Sequence, residues 1–171
     1  MQRLVNVEEL KKLKAAYCRL IDCKQWDELT LLFTPNARFE GFKIVEDPTS
    51  ASDFVDQLSA RLSGSLTVHH CHTPEIVIRP DGTAKGIWAM THWVEFTKPT
   101  DLFQHPEATG FRGYGFYEEQ YQRLDGTWRI SLMRLARTRV DPLVEVRRAS
   151  GFDPFSLAGT FARPDVRWLA D

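Results

Sequence analysis

The segment TVHHCHTPEIVI, residues 67–78, contains His69, His70 and His72 together with Cys71. Imidazole and thiol groups bind metal ions, and imidazole also exchanges a proton near neutral pH. Successive residues of a strand point to opposite faces, so only one of His69 and His70 points inward, and Cys71 lies opposite His70 and His72. This alternation separates the ligands of a metal site, and the chain has no HExxH or paired CxxC pattern. We therefore expect no metal site, which leaves an acid/base centre and an ordinary strand surface as the two interpretations of this segment.

A second group of polar and aromatic side chains lies in TAKGIWAMTHWVEF, residues 83–96, a pattern that predicts a long strand. Trp88, Met90 and His92 share one face of that strand with Val94. If this face lines a cavity, burial lowers the pKa of His92 and keeps its ring neutral. A hydrogen-bonded core histidine is the alternative interpretation.

The elements that position these residues follow from the apolar period, which changes from about 3.6 to 2 near residue 66. Helices are predicted over 7–22, 25–33 and 52–64, with Ser52 as the N-cap of the third. Strands are predicted over 37–42, 67–78, 83–96, 112–124 and 127–140, with a bulge or edge position at Pro74 and a hairpin turn at Asp125-Gly126. This order indicates an α+β fold, in which N-terminal helices pack on a curved, mostly antiparallel sheet. Such a sheet encloses a cavity suited to a small molecule.

Length, charge and cysteine content restrict the class of protein. The 171 residues suffice for one domain, and 22 basic residues balance 23 acidic ones, which does not favour nucleic acid or an anionic membrane as a partner. No apolar run approaches the roughly 20 residues that span a bilayer, and the N-terminus lacks the apolar core of a secretory signal, so we expect a cytoplasmic protein. The cysteines, Cys18, Cys23 and Cys71, have no spacing of a disulfide framework. Cys18 and Cys71 have no marked electropositive setting in the sequence, so we interpret them as unreactive.

Several motifs in chain order resemble one family. They are Tyr17-x-x-x-x-Asp22, QWDELTLLFTPNARF, the His-His pair, DGTAKG, and GFYEEQYQRLDGTWRI at residues 115–130. The series is similar to the SnoaL-like family of the NTF2-like superfamily, which includes scytalone dehydratase, bile-acid 7α-dehydratase and ketosteroid isomerase. The resemblance covers about residues 7–140 and implies a cone-shaped barrel. We accordingly expect a domain over 1–141, with 142–171 closing the cavity or contacting a neighbouring subunit of a homodimer or homotrimer.

The resemblance also implies a site. In dehydratase-like members, an aspartate at the end of the first helix orients a histidine, which removes a proton next to the leaving group. The matching residues are Asp22 and either His69 or His70, with His69 favoured by the ungapped distance from the following strand. Further catalytic candidates are Tyr17, His92 and Arg134, the last replaced by Met133 if the register changes by one residue; the substrate-binding candidates are Trp88, Met90 and Tyr117.

Each catalytic candidate has a structural alternative. Asp22 lies roughly 140° from Tyr17 on an ideal helix, off the apolar stripe, and is a solvated residue or a cap unless the last turn departs from ideal geometry. Tyr17 also suits an ordinary core position, and Arg134 lies among arginines that suit a solvated strand face. An imidazole nitrogen within about 3.2 Å of a buried Asp22 oxygen, with both groups facing the cavity, would favour catalysis. A cavity filled by Trp88 and Phe side chains, with Asp22 turned to solvent, would favour a domain without catalysis.

The function implied by the resemblance is that of a cofactor-independent lyase or isomerase. A dehydratase acting on a hydrophobic cyclic or polyketide- or steroid-like substrate is the leading hypothesis. The alternative is a non-catalytic NTF2-like domain that binds a small molecule or takes part in assembly.

Overall fold

The computed structural model describes residues 2–100, 106–144 and 152–158. Its helices are α1 (Gln2–Asp22), α2 (Trp26–Thr30), α3 (Ala51–Leu62) and α4 (Pro154–Ala158). Its strands are β1 (Phe33–Glu40), β2 (Ser65–Ile78), β3 (Ala84–Phe96), β4 (Gly110–Leu124) and β5 (Thr127–Pro142). The predicted α+β fold is confirmed. Most of the predicted tail over 142–171 lies outside the described residues.

The five strands form one sheet in the order β1-β5-β4-β3-β2. Neighbouring strands are antiparallel except β1 and β5, which run parallel. The hairpin between β4 and β5 turns at Asp125 and Gly126, whose φ angles of 50° and 79° are both positive. Positive angles at both central residues match the twist of the flanking strands. The predicted hairpin is therefore confirmed.

Strand β2 forms one edge of the sheet. Its register with β3 shifts between His72 and Glu75, around Pro74, which has no backbone N–H to donate. The predicted bulge and edge position are both confirmed. The outward N–H and C=O groups of an edge strand have no strand partner, and α1 packs against this strand.

The N-cap of α3 is Ser50, so the prediction of Ser52 is wrong. The Ser50 side chain accepts the backbone N–H of Asp53 at 3.1 Å from an extended backbone conformation. This bond satisfies one of the backbone N–H groups of the first turn, which have no acceptor within the helix.

Helix α2 ends at Thr30 rather than at residue 33, and Thr34-Pro35-Asn36 lies inside β1. The carbonyl of Leu32 already accepts the N–H of Ile130 from β5 at 2.9 Å. Pairing with the sheet therefore ends this helix before the proline is reached.

The inner face of the sheet is covered by α1 and α3. On β3 this face carries Trp88, Met90, His92 and Val94, each at most 4% exposed, which confirms the alternation expected from the sequence. The covering helices contribute the buried residues Leu10, Leu13, Tyr17, Leu20 and Ile21 of α1 and Phe54, Val55, Leu58 and Leu62 of α3. Within the described residues, no helix is long and apolar enough to cross a membrane.

A fully buried ion pair joins α1 to the sheet. The Lys14 ammonium lies 2.5 Å from a carboxylate oxygen of Glu119 in β4, and neither side chain is accessible to solvent. The second Glu119 oxygen accepts the hydroxyl hydrogen of Tyr121, and the Tyr121 oxygen accepts the indole N–H of Trp88 at 2.7 Å. The sequence pattern did not reveal this network, because 105 residues separate Lys14 from Glu119.

Replacing Lys14 by Met should destabilise the protein by about 3–5 kcal/mol, because it leaves the Glu119 carboxylate buried without a counterion. The double substitution Lys14→Met/Glu119→Gln should recover most of that loss, since the amide oxygen still accepts from Tyr121. Denaturant-induced unfolding measures both free energies.

The matched control is Lys11→Met on the same helix. Its ion pair with Glu8 is exposed, so its removal should change the free energy of unfolding by no more than about 0.5 kcal/mol. Equal stabilities of the Lys11→Met and Lys14→Met variants would contradict the role of the buried pair.

Candidate active site

Asp22, the last residue of α1, binds His69 of β2 through both of its carboxylate oxygens. Oδ1 lies 2.7 Å from Nδ1 of His69, and Oδ2 accepts the backbone N–H of His69 at 2.8 Å. The backbone bond is possible because β2 is an edge strand, whose outward N–H groups have no strand partner. Together the two bonds fix the orientation of the imidazole ring. The ring contact lies within the limit of about 3.2 Å expected of a catalytic pair. The Asp22 side chain, however, is 23% exposed and does not line the interior cavity beside His69.

The carboxylate also selects the tautomer of His69. A carboxylate only accepts hydrogen bonds, so Nδ1 of the neutral ring carries the proton and Nε2 keeps a lone pair. Nε2 makes no hydrogen bond with any described residue. The side chain of His69 is 6% exposed, whereas His70 lies on the exposed face of β2. The structure thus places His69, of the two, beside the interior.

A second contact holds the end of α1 beside β2. Lys24, just after the helix, has a left-handed backbone conformation with a φ angle of 58°, and its Nζ donates to Oγ1 of Thr67 at 2.7 Å. Burial lowers the pKa of Lys24 to about 8, although the nearby Asp22 opposes this shift. Lys24 follows Asp22 by two residues, and Thr67 precedes His69 by two. The Lys24–Thr67 and Asp22–His69 contacts therefore both hold the end of α1 against β2.

An interior cavity of about 20 Å³ adjoins His69. Its polar lining residues are Tyr17, His69, His92, Tyr117 and Arg137, and its apolar ones are Ile21, Phe42, Ile44, Leu58, Leu62, Val94, Phe111 and Leu135. This volume admits about one water molecule. A larger ligand therefore requires apolar lining side chains to move.

Tyr17 and Tyr117 are each 1% exposed, and their rings meet edge to face with centroids 5.7 Å apart. Burial raises the pKa of both phenols well above the ordinary value, so they are protonated donors at neutral pH. Lys14 Nζ lies 3.5 Å from the ring centroid of Tyr117 and 4.3 Å from that of Tyr17. These distances suit cation–π contacts, so the buried Lys14 packs directly against both cavity tyrosines.

His92 lies in an apolar setting between His69 and Phe111, with ring centroids 5.4 Å and 5.2 Å away. Its Nε2 is buried without a hydrogen-bond partner among the described residues. Burial lowers the pKa of His92 to about 2, with smaller contributions from His69 and Arg137, so the ring is neutral at physiological pH. Gly113, its partner on β4, leaves room for the ring, because a Cβ there would lie 1.9 Å from Nε2.

The last-strand arginine at the cavity is Arg137, and the prediction of Arg134 is wrong. Arg134 lies on the exposed face of the sheet and pairs with Glu118 at 3.1 Å. The register of β5 on β4 shifts at Ser131, an extra residue that reverses the alternation of the strand. Met133 therefore takes the inward position, fully buried, and Arg137 follows on the same face.

Arg137 is a partly buried donor without a carboxylate partner among the described contacts. Its Nη1 donates to the carbonyl of Gly41 at 3.2 Å, while its Nε is buried without a hydrogen-bond partner in the described part of the chain. Burial lowers its pKa, yet a guanidinium remains charged at any physiological pH. Arg137 is thus placed to donate to an oxygen in the cavity.

The substrate-binding candidates separate into two groups. Tyr117 lines the interior cavity, but Trp88 and Met90 do not. Trp88 is engaged with Tyr121, and Met90 belongs to the hydrophobic core. Trp88 instead lines a groove on the other side of the dyad, whereas Met90 lines neither space, and the predicted contacts of both with substrate stay predictions.

A groove of about 630 Å³ lies between α1 and β2, and we call it the outer groove. It is lined by Lys11, Lys14, Ala15, Cys18, Arg19, Asp22, Cys23, Trp88 and residues 69–72. Because Asp22 and His69 both line it, the outer groove reaches the dyad from solvent. Among the described residues, no three His, Cys, Asp or Glu side chains are grouped to hold a metal ion.

The family model of a SnoaL-like domain matches residues 2–134, and the chain belongs to the SnoaL-like family. A probable cyclase, FGR4, of Gibberella zeae is 27% identical over 139 residues, which cover 75% of this chain and 88% of that protein. A solved structure named "Putative Scytalone Dehydratase", from Novosphingobium aromaticivorans, has a TM-score of 0.70 at 19% identity and covers 86% of this chain and 93% of its own. A hexachlorocyclohexane dehydrochlorinase (LinA) type 2 has a TM-score of 0.70 at 15% identity, with coverages of 86% and 95%. The predicted family and NTF2-like fold are confirmed.

The buried, neutral His92 predicts a pH dependence of stability. Its pKa is about 2 in the folded protein against an ordinary value of 6.5, so the unfolded chain binds more protons between these values. The free energy of unfolding should therefore fall as pH decreases through this window, by up to about 1.4 kcal/mol per pH unit. His92→Gln removes this contribution, so its stability should fall less steeply than that of the wild type when unfolding is measured across the acidic range. Parallel curves for the two proteins would contradict a neutral His92.

Proposed function

We propose that the protein is a cofactor-independent lyase or isomerase, in its simplest form a dehydratase, in which His69 is the base and Asp22 orients it. The pair of hydrogen bonds that Asp22 accepts from the ring and backbone of His69 carries this proposal. A carboxylate on Nδ1 fixes the ring and its tautomer and stabilises the imidazolium that forms when the ring takes up a proton. His69 lines the interior cavity, and in this proposal its Nε2 takes the proton from a substrate carbon held there.

Tyr17, Tyr117 and Arg137 supply hydrogen-bond donors to a substrate carbonyl. As His69 removes a proton from the adjacent carbon, negative charge develops on the carbonyl oxygen, and preorganised donors in a water-poor site stabilise it. Departure of a hydroxyl from the next carbon, together with the proton held by His69, gives water and completes a dehydration. Return of the proton to a different carbon completes an isomerisation. Both routes balance with the groups of this chain alone.

Two unpaired polar atoms support a ligand in the cavity. Nε2 of His92 and Nε of Arg137 are both buried without hydrogen-bond partners among the described residues. A buried unsatisfied group costs about 1–3 kcal/mol, and such groups in native structures often mark functional sites. A polar atom of a bound substrate would offset this cost.

The substrate in this proposal is a hydrophobic cyclic molecule, because apolar side chains form most of the cavity lining. The names of the similar proteins, a cyclase, a scytalone dehydratase and a dehydrochlorinase, support a reaction of the lyase or isomerase class. Assembly as a homodimer or homotrimer, with residues 142–171 at the cavity or a neighbouring subunit, also belongs to the proposal.

The volume of the cavity favours a second candidate, a binding or assembly domain without catalysis. About 20 Å³ does not admit a polycyclic substrate in the conformation described. In this alternative the contact between Asp22 and His69 is a structural link between α1 and β2. A measurement of proton transfer from a carbon atom of a ligand distinguishes the enzyme from the binding or assembly domain.

Exchange of a carbon-bound proton tests the proposed base. Wild-type protein should accelerate the incorporation of deuterium from deuterated water into β-tetralone, a bicyclic ketone, as followed by proton NMR. His69→Gln should lose about 10²–10⁴-fold of the rate, the usual contribution of a positioned base. Asp22→Asn should also lose most of it, because the amide can donate to Nδ1 and favour the wrong tautomer.

His70→Gln is the matched control, since His70 is adjacent to His69 but lies on the exposed face. It should keep the wild-type exchange rate. Unfolding measurements on each variant separate a loss of proton transfer from a loss of fold. Exchange at the same rate with wild-type protein and with folded His69→Gln would contradict the proposed base and favour the binding alternative.

A further inference from the structure

Two cysteines meet between the elements that carry the dyad. Cys18 of α1 lies one helical turn before Asp22, and Cys71 of β2 lies two residues after His69. The Cys18 thiol donates to Sγ of Cys71, with the two sulfur atoms 3.5 Å apart. Both side chains are half-buried and line the outer groove, so a small reagent in that groove reaches them. The interpretation of these thiols as unreactive rested on the lack of an electropositive setting in the sequence, which does not show this contact.

We propose that Cys18 and Cys71 are a modification site, a dithiol that forms a reversible disulfide by exchange with a small-molecule disulfide entering the outer groove. The proposal goes beyond the function proposed above and does not depend on it. It concerns a pair that neither the dyad nor the interior cavity uses.

The geometry favours this pair over the third cysteine. A disulfide requires the two sulfur atoms to approach to about 2.05 Å, and Cys18 and Cys71 start in contact. Cys23 also lines the outer groove, but no sulfur contact joins it to another described cysteine. Because 53 residues separate Cys18 from Cys71, the bond links two distant parts of the chain.

The environment distinguishes the two thiols of the pair. The hydrogen bond from Cys18 lowers the pKa of Cys71, as does the nearby Lys14, although burial opposes the shift. The same bond and burial raise the pKa of Cys18. The thiolate is the reactive form of cysteine, so Cys71 reacts first and Cys18 resolves.

The exchange balances in two steps. The Cys71 thiol loses its proton to solvent, and its thiolate attacks one sulfur of the small disulfide, forming a mixed disulfide and expelling one thiolate. Cys18 then loses its proton and attacks the Cys71 sulfur, which forms the intramolecular bond and expels the second thiolate. Both expelled thiolates take up a proton. The protein dithiol is oxidised by two electrons, and the small disulfide is reduced to two thiols.

The consequence is a covalent link between α1 and β2 beside Asp22 and His69. A disulfide stabilises a fold chiefly by restricting the unfolded chain, and the effect grows with the length of the closed loop. Oxidation should therefore raise the melting temperature of the full chain, and a small thiol should restore the original value.

The test treats the full-length protein with oxidised glutathione and follows intact mass, free thiols and cross-linked peptides. Wild type should lose two thiols and the mass of two hydrogens, with a Cys18–Cys71 cross-linked peptide. Cys23→Ser is the matched control and should behave in the same way. Cys18→Ser removes the resolving thiol and should accumulate one glutathionyl group on Cys71.

The melting temperature gives a second readout. It should rise on oxidation of the wild type and of Cys23→Ser, but not of Cys18→Ser or Cys71→Ser. Retention of all three thiols by the folded wild type, a cross-link that includes Cys23, or stable glutathionyl groups on both Cys18 and Cys71 would overturn the proposal.

Discussion

The Asp22 carboxylate sits at the C-terminal end of α1, where the helix dipole disfavours negative charge. Its position is retained because His69 donates two hydrogen bonds to it, one from the ring and one from the backbone of an edge strand. Lys24, whose pKa is influenced by the Asp22 charge, adds an attractive charge nearby. The imidazole orientation, the contact of α1 with β2 and the direction of Nε2 all depend on this one arrangement.

Beyond the dyad, two groups of polar side chains lie at or beside the cavity, the first with its hydrogen bonds satisfied and the second with unpaired atoms. Lys14, Glu119 and Tyr121 satisfy one another beside the cavity tyrosines. At the cavity itself, His92 and Arg137 retain buried atoms that lack partners among the described residues. A low-dielectric interior strengthens the hydrogen bonds of the first group and makes the unpaired atoms of the second group energetically costly. Rigid support behind incompletely bonded groups is typical of a preorganised binding site.

Local sequence patterns predicted much of this arrangement. The features that they missed depend on contacts between residues far apart in the sequence or on a change of strand register. Strand alternation in β2 and β3 separates His69 from His70 and groups His92 with Trp88, Met90 and Val94 on one face, because a period of two needs no tertiary knowledge. It failed in β5, where the extra residue Ser131 reverses the faces and exchanges Arg134 for Arg137. Helical periodicity also failed to predict the position of Asp22, which it places off the apolar stripe. The partner of Asp22 lies on a strand 47 residues away, and periodicity within one helix carries no information about it. The contacts of Lys14 with Glu119 and of Cys18 with Cys71 span 105 and 53 residues and leave no local signal.

The central claim is that Asp22 holds His69 with its proton on Nδ1 and a free lone pair on Nε2. Nitrogen NMR of isotope-labelled protein reads the tautomer of each imidazole directly. In its neutral form the His69 ring should show a protonated Nδ1 and an unprotonated Nε2, and Asp22→Asn should shift the neutral ring away from that tautomer. A neutral His69 ring protonated on Nε2 in the wild type would contradict the account.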